Sequence, residues 1–570
     1  MLEIKNAIAE RIVEKLKELN PNVTMDVGEA ASMLEYPPDA KMGDLALPCF
    51  KMSKIMRMAP VKIAAAIAEG FDAPCVKSAE AVNGYLNIFL DGQALCERVV
   101  GEVLEKGEKY GAPTFGEGKT VVLDYSSPNV AKPFHIGHLG TTVIGHSLKM
   151  LHQFAGYKCV GINYLGDWGT QFGKLITAYR LWGSEEQVKE GGVDALVELY
   201  VRINNAIAED SALADQARAE FRKLEDGDEE NLKLWRWFID ISLEEYQKTY
   251  AQLDITFDSY KGESFYTDKM PTQVQKLRDM GLMKIDDGAS IVDLEEYGMP
   301  PCLILKRDGS TLYPTRDIAA AVYRKQTYDF DKAIYVTSAG QSLHFAQWFK
   351  VVELMGYDWY DKLVHVPYGT VSINGEKLAT RTGNVILLRD LFATAIDKVS
   401  GIIDEKNPNL ENKEKVAEQI GVGAVVFYYL SNNRIRDINF VMEDALSFEG
   451  NTGPYVQYTY ARTCSVLSKS GEYDRNCELT VSAPEETELV KVLAKFEEHV
   501  IDAIDTYEPM VITRYILDVA GAYNRFYHNC SILGAENEAV KNTRLKLTEA
   551  TKTVLGNAFG LICLAKTEKV

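Results

Sequence analysis

Two histidines three positions apart, His135 and His138, flank Gly137 in the run H-I-G-H. Residues three apart lie on one face of a helix, and a glycine between them leaves room for a ligand to approach closely. The first turn of a helix also presents free backbone N–H groups and the positive end of the helix dipole, which together attract anions. We predict that this run starts a helix and binds the phosphates of a nucleoside triphosphate.

The residues around this run predict the start of a nucleotide-binding α/β sheet. Residues 121–125 form a β-rich run, a loop of Ser, Pro and Asn follows, and one apolar stripe then continues through a helix to residue 154. Strand, loop and helix in this order begin a doubly wound fold, in which nucleotides bind at the strand ends. An acidic helical insertion is expected near 183–255. Further strand patterns occur at 159–164, 332–337 and 364–366.

Three regions of the 570-residue chain differ in their patterns. The region 1–112 combines helical patterns with a strand-like run at 85–90 and predicts a small α+β domain. The region 113–390 contains the strand patterns and predicts a Rossmann-like doubly wound α/β catalytic domain with helical insertions. The strand patterns then fade into long helical periodicities, which predict an all-α bundle over 391–570.

The composition excludes several classes of protein. With 46% hydrophobic residues and no apolar run near the ~18 residues that a membrane span needs, the chain is expected to be globular and cytoplasmic. Its 62 basic and 82 acidic residues give a net charge of −20, so any contact with nucleic acid must be local. The nine cysteines form no C-x-x-C pair, which argues against a disulfide framework and a thiolate zinc site.

The segment S-S-P-N-V-A-K-P-F-H-I-G-H at 126–138 resembles the signature of class I aminoacyl-tRNA synthetases, and its flanking residues resemble the arginyl-tRNA synthetase family. Five further blocks occur in the order of that family, at 165–173, 262–266, 313–317, 341–345 and 451–458. The resemblance implies a Rossmann-like catalytic domain between two other domains. The small N-terminal one would bind the tRNA elbow, and the helical C-terminal one would bind the anticodon.

Class I synthetases carry a second ATP motif, K-M-S-K-S, and this chain contains K-M-S-K at 51–54. That run precedes the first nucleotide-binding strand and fits an amphipathic helix, so we do not assign it to ATP. The match by position is K-L-A-T-R-T-G-N-V at 377–385, where Leu, Ala and Thr replace Met, Ser and the later Lys. The resemblance implies that Lys377 and Arg381 contact ATP and that Lys132 stands in for the missing lysine.

The reaction implied by the resemblance needs no nucleophilic side chain. The carboxylate of the amino acid attacks the α-phosphorus of ATP, so the protein holds two anions in line and stabilises charge on the leaving pyrophosphate. The implied catalytic residues are His135, His138, Lys132 and Lys377. These four would also bind ATP, together with Gly137 and Arg381. We expect Mg²⁺ to arrive on the nucleotide, held by phosphate and water rather than by a metal site of the protein.

Recognition of arginine requires carboxylates that accept a planar guanidinium, whose fork-shaped pairing separates it from the point charge of lysine. Asp124 ends the first strand, and Asp317 lies one helical turn after Tyr313. The resemblance implies that these three residues face the guanidinium, and that Asn129 and Gln341 hold the α-amino and carboxyl end. A buried carboxylate without a cation is costly, which favours a bound ligand beside the two aspartates.

Contacts with tRNA are expected in both flanking domains. The strand that resembles the elbow-contacting one carries Tyr85 and Asn87, and the tyrosine either stacks on an unpaired base or belongs to the core. The resemblance places anticodon contacts at Tyr458 and Arg462, with Asn529 as a further candidate. The last thirty residues carry six basic and two acidic side chains, which indicates a surface for phosphates.

The implied activity is that of a monomeric arginine–tRNA ligase, which forms arginyl-adenylate from ATP and L-arginine and transfers the arginyl group to the terminal ribose of tRNA(Arg). Two alternatives remain. One is another H-x-G-H nucleotidyltransferase that adenylates a small acid without RNA, which leaves the helical region after residue 390 unexplained. The other is a non-catalytic paralogue that only binds RNA, against which the intact His135, His138 and Lys132 argue.

Overall fold

The computed structural model describes residues 1–377 and 386–570. The N-terminal region contains α1 (Leu2–Leu19), α2 (Val27–Ser32), β1 (Leu45–Pro48), α3 (Ser53–Met56), α4 (Pro60–Ala68), β2 (Val76–Val82), β3 (Tyr85–Leu90) and α5 (Gly92–Lys106). Helix α1 forms because Ile4, Ile8 and Ile12 recur on one face, which is buried. The three strands make an antiparallel sheet in the order β1-β3-β2, so the predicted strand at 85–90 is the central one.

The middle region begins with β4 (Thr120–Asp124), α6 (Gly137–Phe154), β5 (Lys158–Ile162) and α7 (Thr170–Trp182). The predicted helical insertion follows as α8 (Glu185–Glu209), α9 (Ala212–Glu225) and α10 (Glu229–Gln252). After it come α11 (Met270–Asp279), β6 (Met283–Asp286), β7 (Ala289–Val292), β8 (Cys302–Leu305), α12 (Tyr313–Tyr328), β9 (Lys332–Ser338), α13 (Ser342–Leu354) and β10 (Leu363–Tyr368).

Four parallel strands in the order β10-β9-β4-β5 form the central sheet, which confirms the predicted doubly wound core. Helices cover both faces, so Leu123 packs on the side of α6 and Val122 on the side of α12 and α13. Burial on both faces explains the continuous apolar runs of these strands. Because parallel strands end at one edge, Asp124, Ser338 and Tyr368 mark the edge where ligands bind in such folds.

The last region is mostly helical. Its elements are β11 (Val371–Ile373), β12 (Glu376–Lys377), α14 (Leu388–Lys406), α15 (Lys413–Leu430), β13 (Ile438–Phe440), α16 (Met442–Ala445), α17 (Gly453–Ser470), α18 (Pro484–Leu493), α19 (Phe496–Thr506), α20 (Met510–Asn529) and α21 (Glu538–Gly560). Short 3-10 helices lie at Ala40–Met42, Gly107–Lys109, Glu263–Lys269, Glu295–Tyr297, Ala339–Gln341 and Tyr360–Lys362. The helices agree with the predicted bundle, while the two boundaries between the three domains stay predictions.

Four features differ from what the sequence predicts. Helix α6 begins at Gly137, so His135 precedes the helix instead of lying in its first turn. The helix is also buried on nearly every side over 139–149, because the sheet and the helices α15 and α19 enclose it. The K-M-S-K run at 51–54 is helical only from Ser53, in the four-residue α3. Two small sheets, β6-β7-β8 and β12-β11-β13, were not predicted, since strands this short show no clear alternation.

The N-terminal domain packs directly against the C-terminal helices. The ring of Tyr36 lies between the ammonium groups of Lys5 and Lys495, each 4.0 Å from the ring centroid. The hydroxyl of Tyr36 donates to Glu498 (2.9 Å), which also pairs with Lys5 (3.2 Å). Cation–π contacts and an ion pair therefore join the two domains around one aromatic ring.

None of the helices in the two described ranges is both long and apolar enough to cross a membrane. All nine cysteines lie within these ranges and are free thiols. Burial raises the pKa of Cys96 and Cys159 to about 12, so both stay protonated and unreactive at neutral pH.

Two glycines in helices test how tightly α6 is packed. A Cβ on Gly145 would lie 2.2 Å from the Cβ of Tyr125, whereas a Cβ on Gly101 in α5 would meet nothing within 4 Å. We expect Gly145→Ala to lower the free energy of unfolding by about 1–3 kcal/mol through overpacking. Gly101→Ala, the matched control, should raise it by up to about 1 kcal/mol because alanine favours the helix. Urea denaturation measures both, and equal effects of the two substitutions would contradict the close packing of α6.

Candidate active site

The loop between β4 and α6 carries most of the predicted site, and its backbone is strained. Ser126, Ser127 and Ala131 have positive φ angles of 70°, 47° and 57°, a conformation that costs a non-glycine residue about 1–3 kcal/mol. Helix α6 holds Ser126, whose Oγ lies 2.8 Å from Thr142 Oγ1 and whose N–H donates to Thr141 Oγ1 (3.0 Å). Side chains of neighbouring elements therefore fix this loop, rather than its own conformational preference.

The hydrogen bonds of the two histidines define which ring nitrogen carries the proton. The N–H of Gly137 donates to His135 Nδ1 (3.0 Å), and the N–H of His135 donates to His138 Nδ1 (3.2 Å). A nitrogen that accepts cannot hold the proton of a neutral ring, so both imidazoles carry it on Nε2. Burial lowers the pKa of His135 to about 4 and that of His138 to about 3, and the positive charge of Lys132 adds to both shifts. Both rings are therefore neutral N–H donors at pH 7.

Residues 386–388, which follow the predicted second ATP motif, pair with the H-I-G-H run. The N–H of Ile136 donates to the carbonyl of Ile386 (3.2 Å), and the N–H of Leu388 donates to the carbonyl of Phe134 (2.9 Å). These bonds attach the residues after 377–385 to the start of α6.

Of the three cationic residues predicted to contact ATP, the structure describes only one side chain, that of Lys132. Lys132 is exposed in the loop and lies close enough to both histidines to lower their pKa values. The backbone of Lys377 belongs to β12, but its side chain lies outside the described residues, as does the whole of Arg381. The roles of Lys377 and Arg381 stay predictions.

Asp124 already has a cation within the chain. Its buried carboxylate pairs with Arg324 of α12 (Oδ2 to Nη1, 2.8 Å) and accepts from Ser127 Oγ (2.9 Å). Burial raises the pKa of Asp124, and the Arg324 guanidinium opposes that shift. The sequence argument that a buried Asp124 needs the charge of a ligand is therefore wrong, because Arg324 supplies it. Within the described residues, Arg324 Nη2 and the hydroxyls of Tyr164 and Tyr335 are buried without a hydrogen-bond partner.

Asp317 and its neighbours form a more open part of the site. His344 Nε2 lies 2.6 Å from Asp317 Oδ2, and the two side chains are 27% and 21% exposed. Tyr313, the first residue of α12, is 67% exposed. The charge of Asp317 also helps to raise the pKa of Asp124, so the two carboxylates are close enough to interact.

Asn129 and Gln341 are both exposed on connecting segments. Asn129 lies where the loop bridges to Gly166, since the N–H of Val130 donates to the Gly166 carbonyl (3.2 Å). A Cβ on Gly166 would lie 2.2 Å from Asn129 Oδ1, so the glycine leaves room for this amide. Gln341 ends the 3-10 helix Ala339–Gln341, immediately before α13.

A carboxylate that the sequence did not single out, Glu263, lies beside this group. It pairs with Arg316 (2.8 Å), and both side chains are largely buried. Burial raises the pKa of Glu263 to about 7; the charges of Asp317 and Asp167 add to the shift and Arg316 opposes it. The block G-E-S-F-Y at 262–266 contains this residue and was the signal that could have identified it.

The two residues expected at the tRNA elbow differ in exposure. Tyr85 is 39% exposed and packs edge-on against the exposed ring of Phe50, with 5.3 Å between centroids. Asn87 is buried because β3 is the central strand of its sheet. The ring of Tyr85 is therefore accessible to a base, whereas the amide of Asn87 is enclosed.

Two of the anticodon candidates, Tyr458 and Arg462 of α17, form a cluster with Tyr527 of α20. The guanidinium of Arg462 lies between two tyrosines, 5.1 Å from the ring of Tyr458 and 4.9 Å from that of Tyr527. Both tyrosines are exposed, and cation–π contacts hold the three side chains together. Asn529, on the same helix as Tyr527, donates to Glu485 (2.9 Å).

The basic residues near residue 570 do not all form the expected phosphate surface. Arg544 and Lys546 are buried. Arg544 pairs with Glu486 (2.7 Å), and Lys546 donates to the carbonyl of Cys477 (2.7 Å). For these two the prediction is wrong, because a count of charges cannot distinguish a buried pair from an exposed cation.

Three family models match the chain, one for each of its three regions. The family model described as "tRNA synthetases class I (R), catalytic domain" matches residues 99–442, which include the parallel sheet and the H-I-G-H run. The "Arginyl tRNA synthetase N terminal domain" matches 3–90, and the "DALR anticodon binding domain" matches 456–570. The fold and the site define a class I aminoacyl-tRNA synthetase.

Full-length relatives narrow this class to one family. The chain is 48% identical over 570 residues to the arginine–tRNA ligase of Clostridium botulinum (strain Okra / Type B1), and 48% over 572 residues to that of Clostridium perfringens (strain 13 / Type A), with 100% of each chain covered. The solved Thermus thermophilus arginyl-tRNA synthetase has a TM-score of 0.85 at 25% identity, covering 100% of both chains. The Plasmodium falciparum structure has a TM-score of 0.80 at 24% identity, covering 99% of this chain and 98% of that one. The chain belongs to the arginyl-tRNA synthetase family.

The protonation state of the two histidines can be observed directly. Ring ¹⁵N NMR of histidine-labelled protein should show His135 and His138 neutral, with the proton on Nε2, down to about pH 5. Because each folded-state pKa lies below the ordinary value of 6.5, these rings reduce stability as the pH falls from about 6.5 towards 4. His135→Asn and His138→Asn assign the signals. A titration midpoint near pH 6.5 for either ring would contradict the buried, neutral pair.

Proposed function

We propose that the chain forms arginyl-adenylate and pyrophosphate from L-arginine and ATP, then transfers the arginyl group to the 3′-terminal ribose of tRNA(Arg) and releases AMP. One observation carries the proposal: at the start of α6, beside Lys132, two neutral imidazoles accept backbone N–H bonds at Nδ1 and so keep their protons on Nε2. Such a turn suits a triphosphate. Membership of the arginyl-tRNA synthetase family supports arginine as the amino acid.

The triphosphate binds at the start of α6, where the positive end of the helix dipole attracts anions and Gly137 allows close approach. His135 and His138 donate from Nε2 to phosphate oxygens, and Lys132 and Lys377 neutralise charge as pyrophosphate leaves. Neutral imidazoles suit a buried site because they avoid the desolvation cost of a cation. The arginine carboxylate attacks the α-phosphorus in line, so the protein supplies alignment and charge stabilisation only.

Enzymes of this class use ATP, generally with Mg²⁺. Among the described residues, no group of three or more His, Cys, Asp or Glu side chains could hold a metal ion. These residues therefore do not fit a resident Mg²⁺ cage. We infer that the ion arrives on the phosphate oxygens and keeps most of its water.

The guanidinium of arginine binds beside Tyr313 and Asp317. The Asp317 carboxylate, which is bonded to His344 in the structure, accepts two parallel hydrogen bonds from the guanidinium. Asp124 lies at the buried end of the pocket, where Arg324 neutralises part of the charge of this carboxylate. Asp317 therefore contributes more of the discrimination against lysine. The α-amino and carboxyl groups are held by Asn129 and Gln341.

We infer that Tyr85 stacks on a base of the tRNA elbow, with Asn87 supporting the strand from inside. The anticodon loop contacts the exposed cluster of Tyr458, Arg462 and Tyr527. We infer a monomer, as the resemblance to the family implies. Nine free thiols favour the reducing cytoplasm.

Pyrophosphate exchange with each amino acid, with and without tRNA(Arg), tests the proposed function. We expect exchange with arginine and only in the presence of the tRNA. Exchange with another small acid in the absence of RNA would instead identify a nucleotidyltransferase. Binding of RNA without exchange for any amino acid would identify a non-catalytic RNA-binding protein.

Asp317→Asn removes the charge that receives the guanidinium and keeps the shape of the side chain. We expect the KM for arginine to rise about 10–100-fold, because a charged hydrogen bond is worth about 1.5–3 kcal/mol. The KM for ATP and the Tm should change little. Asp329→Asn, at the exposed far end of the same helix, is the matched control and should leave the arginine KM unchanged. Wild-type arginine kinetics in Asp317→Asn would remove this residue from the pocket.

A further inference from the structure

Helix α10 of the acidic insertion reaches the strained loop with three buried side chains spaced four residues apart, Ser242, Tyr246 and Tyr250. This spacing places them on one face of the helix. Ser242 Oγ accepts from the N–H of Ala131 (3.0 Å), and the hydroxyl of Tyr250 lies 2.7 Å from Ser126 Oγ. Both contacts meet the loop at residues with positive φ. The insertion therefore holds the loop where its backbone is strained.

Tyr246 makes the central contact of this face. Its hydroxyl lies 2.8 Å from the carbonyl oxygen of Asn129 and 2.8 Å from that of Lys132, and it shares its single proton between them. The ring packs against Phe134 with 5.3 Å between centroids. In the proposed function, Asn129 holds the amino-acid end of arginine and Lys132 holds the triphosphate. One hydroxyl therefore fixes the spacing between the groups that hold the two substrates.

We propose that Tyr246 is a positioning residue for the activation step, which aligns the arginine carboxylate with the α-phosphorus of ATP without touching either substrate. The inference rests on the proposed function. In-line attack depends on alignment, and a displacement of about 1 Å can cost about 100-fold in rate. A loop with left-handed non-glycine residues keeps such a shape only when its surroundings impose it. Helix α10 supplies that support from outside the nucleotide-binding sheet.

Tyr246→Phe removes the hydroxyl and keeps the ring that packs on Phe134. We expect kcat for arginine-dependent pyrophosphate exchange, measured on the full chain with tRNA(Arg), to fall about 10–100-fold. The KM values for arginine and ATP should change less than about threefold, because the groups that bind them remain. Tyr515→Phe is the matched control: it removes an equally buried hydroxyl, which donates to the carbonyl of Leu493 (3.2 Å) far from the loop. It should keep the wild-type kcat.

A purely structural role would lower the Tm of both variants and leave kcat unchanged below that temperature. Wild-type kcat in Tyr246→Phe, or an equal fall in Tyr515→Phe, would overturn the proposal. A double-mutant cycle adds a second readout. In a Lys132→Ala background, Tyr246→Phe should lower kcat by a smaller factor than in the wild type. Strictly additive losses would contradict the proposed coupling between Tyr246 and Lys132.

Should Tyr246→Phe fail to fold, Ser242→Ala tests the same support, because it removes the acceptor of the Ala131 N–H. It should lower kcat with little change in KM, and an unchanged kcat would overturn the proposal. Wild-type protein without arginine-dependent exchange is a different result, since it would overturn the proposed function itself.

Discussion

The turn from β4 into α6 sets the constraint on which the site depends, because it carries non-glycine residues in a conformation that the chain disfavours. Hydroxyl groups of α6 hold it from one side, and the tyrosines and serine of α10 hold it from the other. Adenylate formation gains from such rigidity, since alignment that is established on folding need not be achieved during the reaction. The helical insertion is therefore part of the scaffold of the active site, although it interrupts the sheet in sequence.

Charge at the edge of the sheet is balanced in three ways. The two histidines are neutral because burial lowers their pKa values. Asp124 and Glu263 each pair with a guanidinium of the chain itself, whereas Asp317 pairs with an imidazole. A guanidinium ligand can displace an imidazole from a carboxylate more easily than it can displace an arginine side chain. The reason is that the bidentate, charged pairing of arginine with a carboxylate is the stronger contact. This difference between the carboxylates is why we propose Asp317, rather than Asp124 or Glu263, as the main partner of the arginine guanidinium.

Elements with a strong local pattern could be predicted from the sequence, including β3, β4, the helical insertion and the C-terminal helices. The H-I-G-H run predicted a turn into a helix, but α6 starts later than predicted, because backbone N–H groups bond to the histidine rings. Contacts between distant residues left no local signal. Arg324 reaches Asp124 from α12, Tyr246 reaches the loop from the insertion, and Arg544 is buried against Glu486. Such pairings depend on the folded chain, so a count of charges or a periodic pattern cannot show them.

The ring of Tyr36, held between two lysines from opposite regions of the chain, has a consequence for biosynthesis. Ribosomes complete the first domain long before they reach the helix that carries Glu498. Until then only Lys5 covers the ring, and the hydroxyl of Tyr36 lacks its partner Glu498. This contact between the first and last regions of the chain therefore forms only after most of the enzyme has been synthesised.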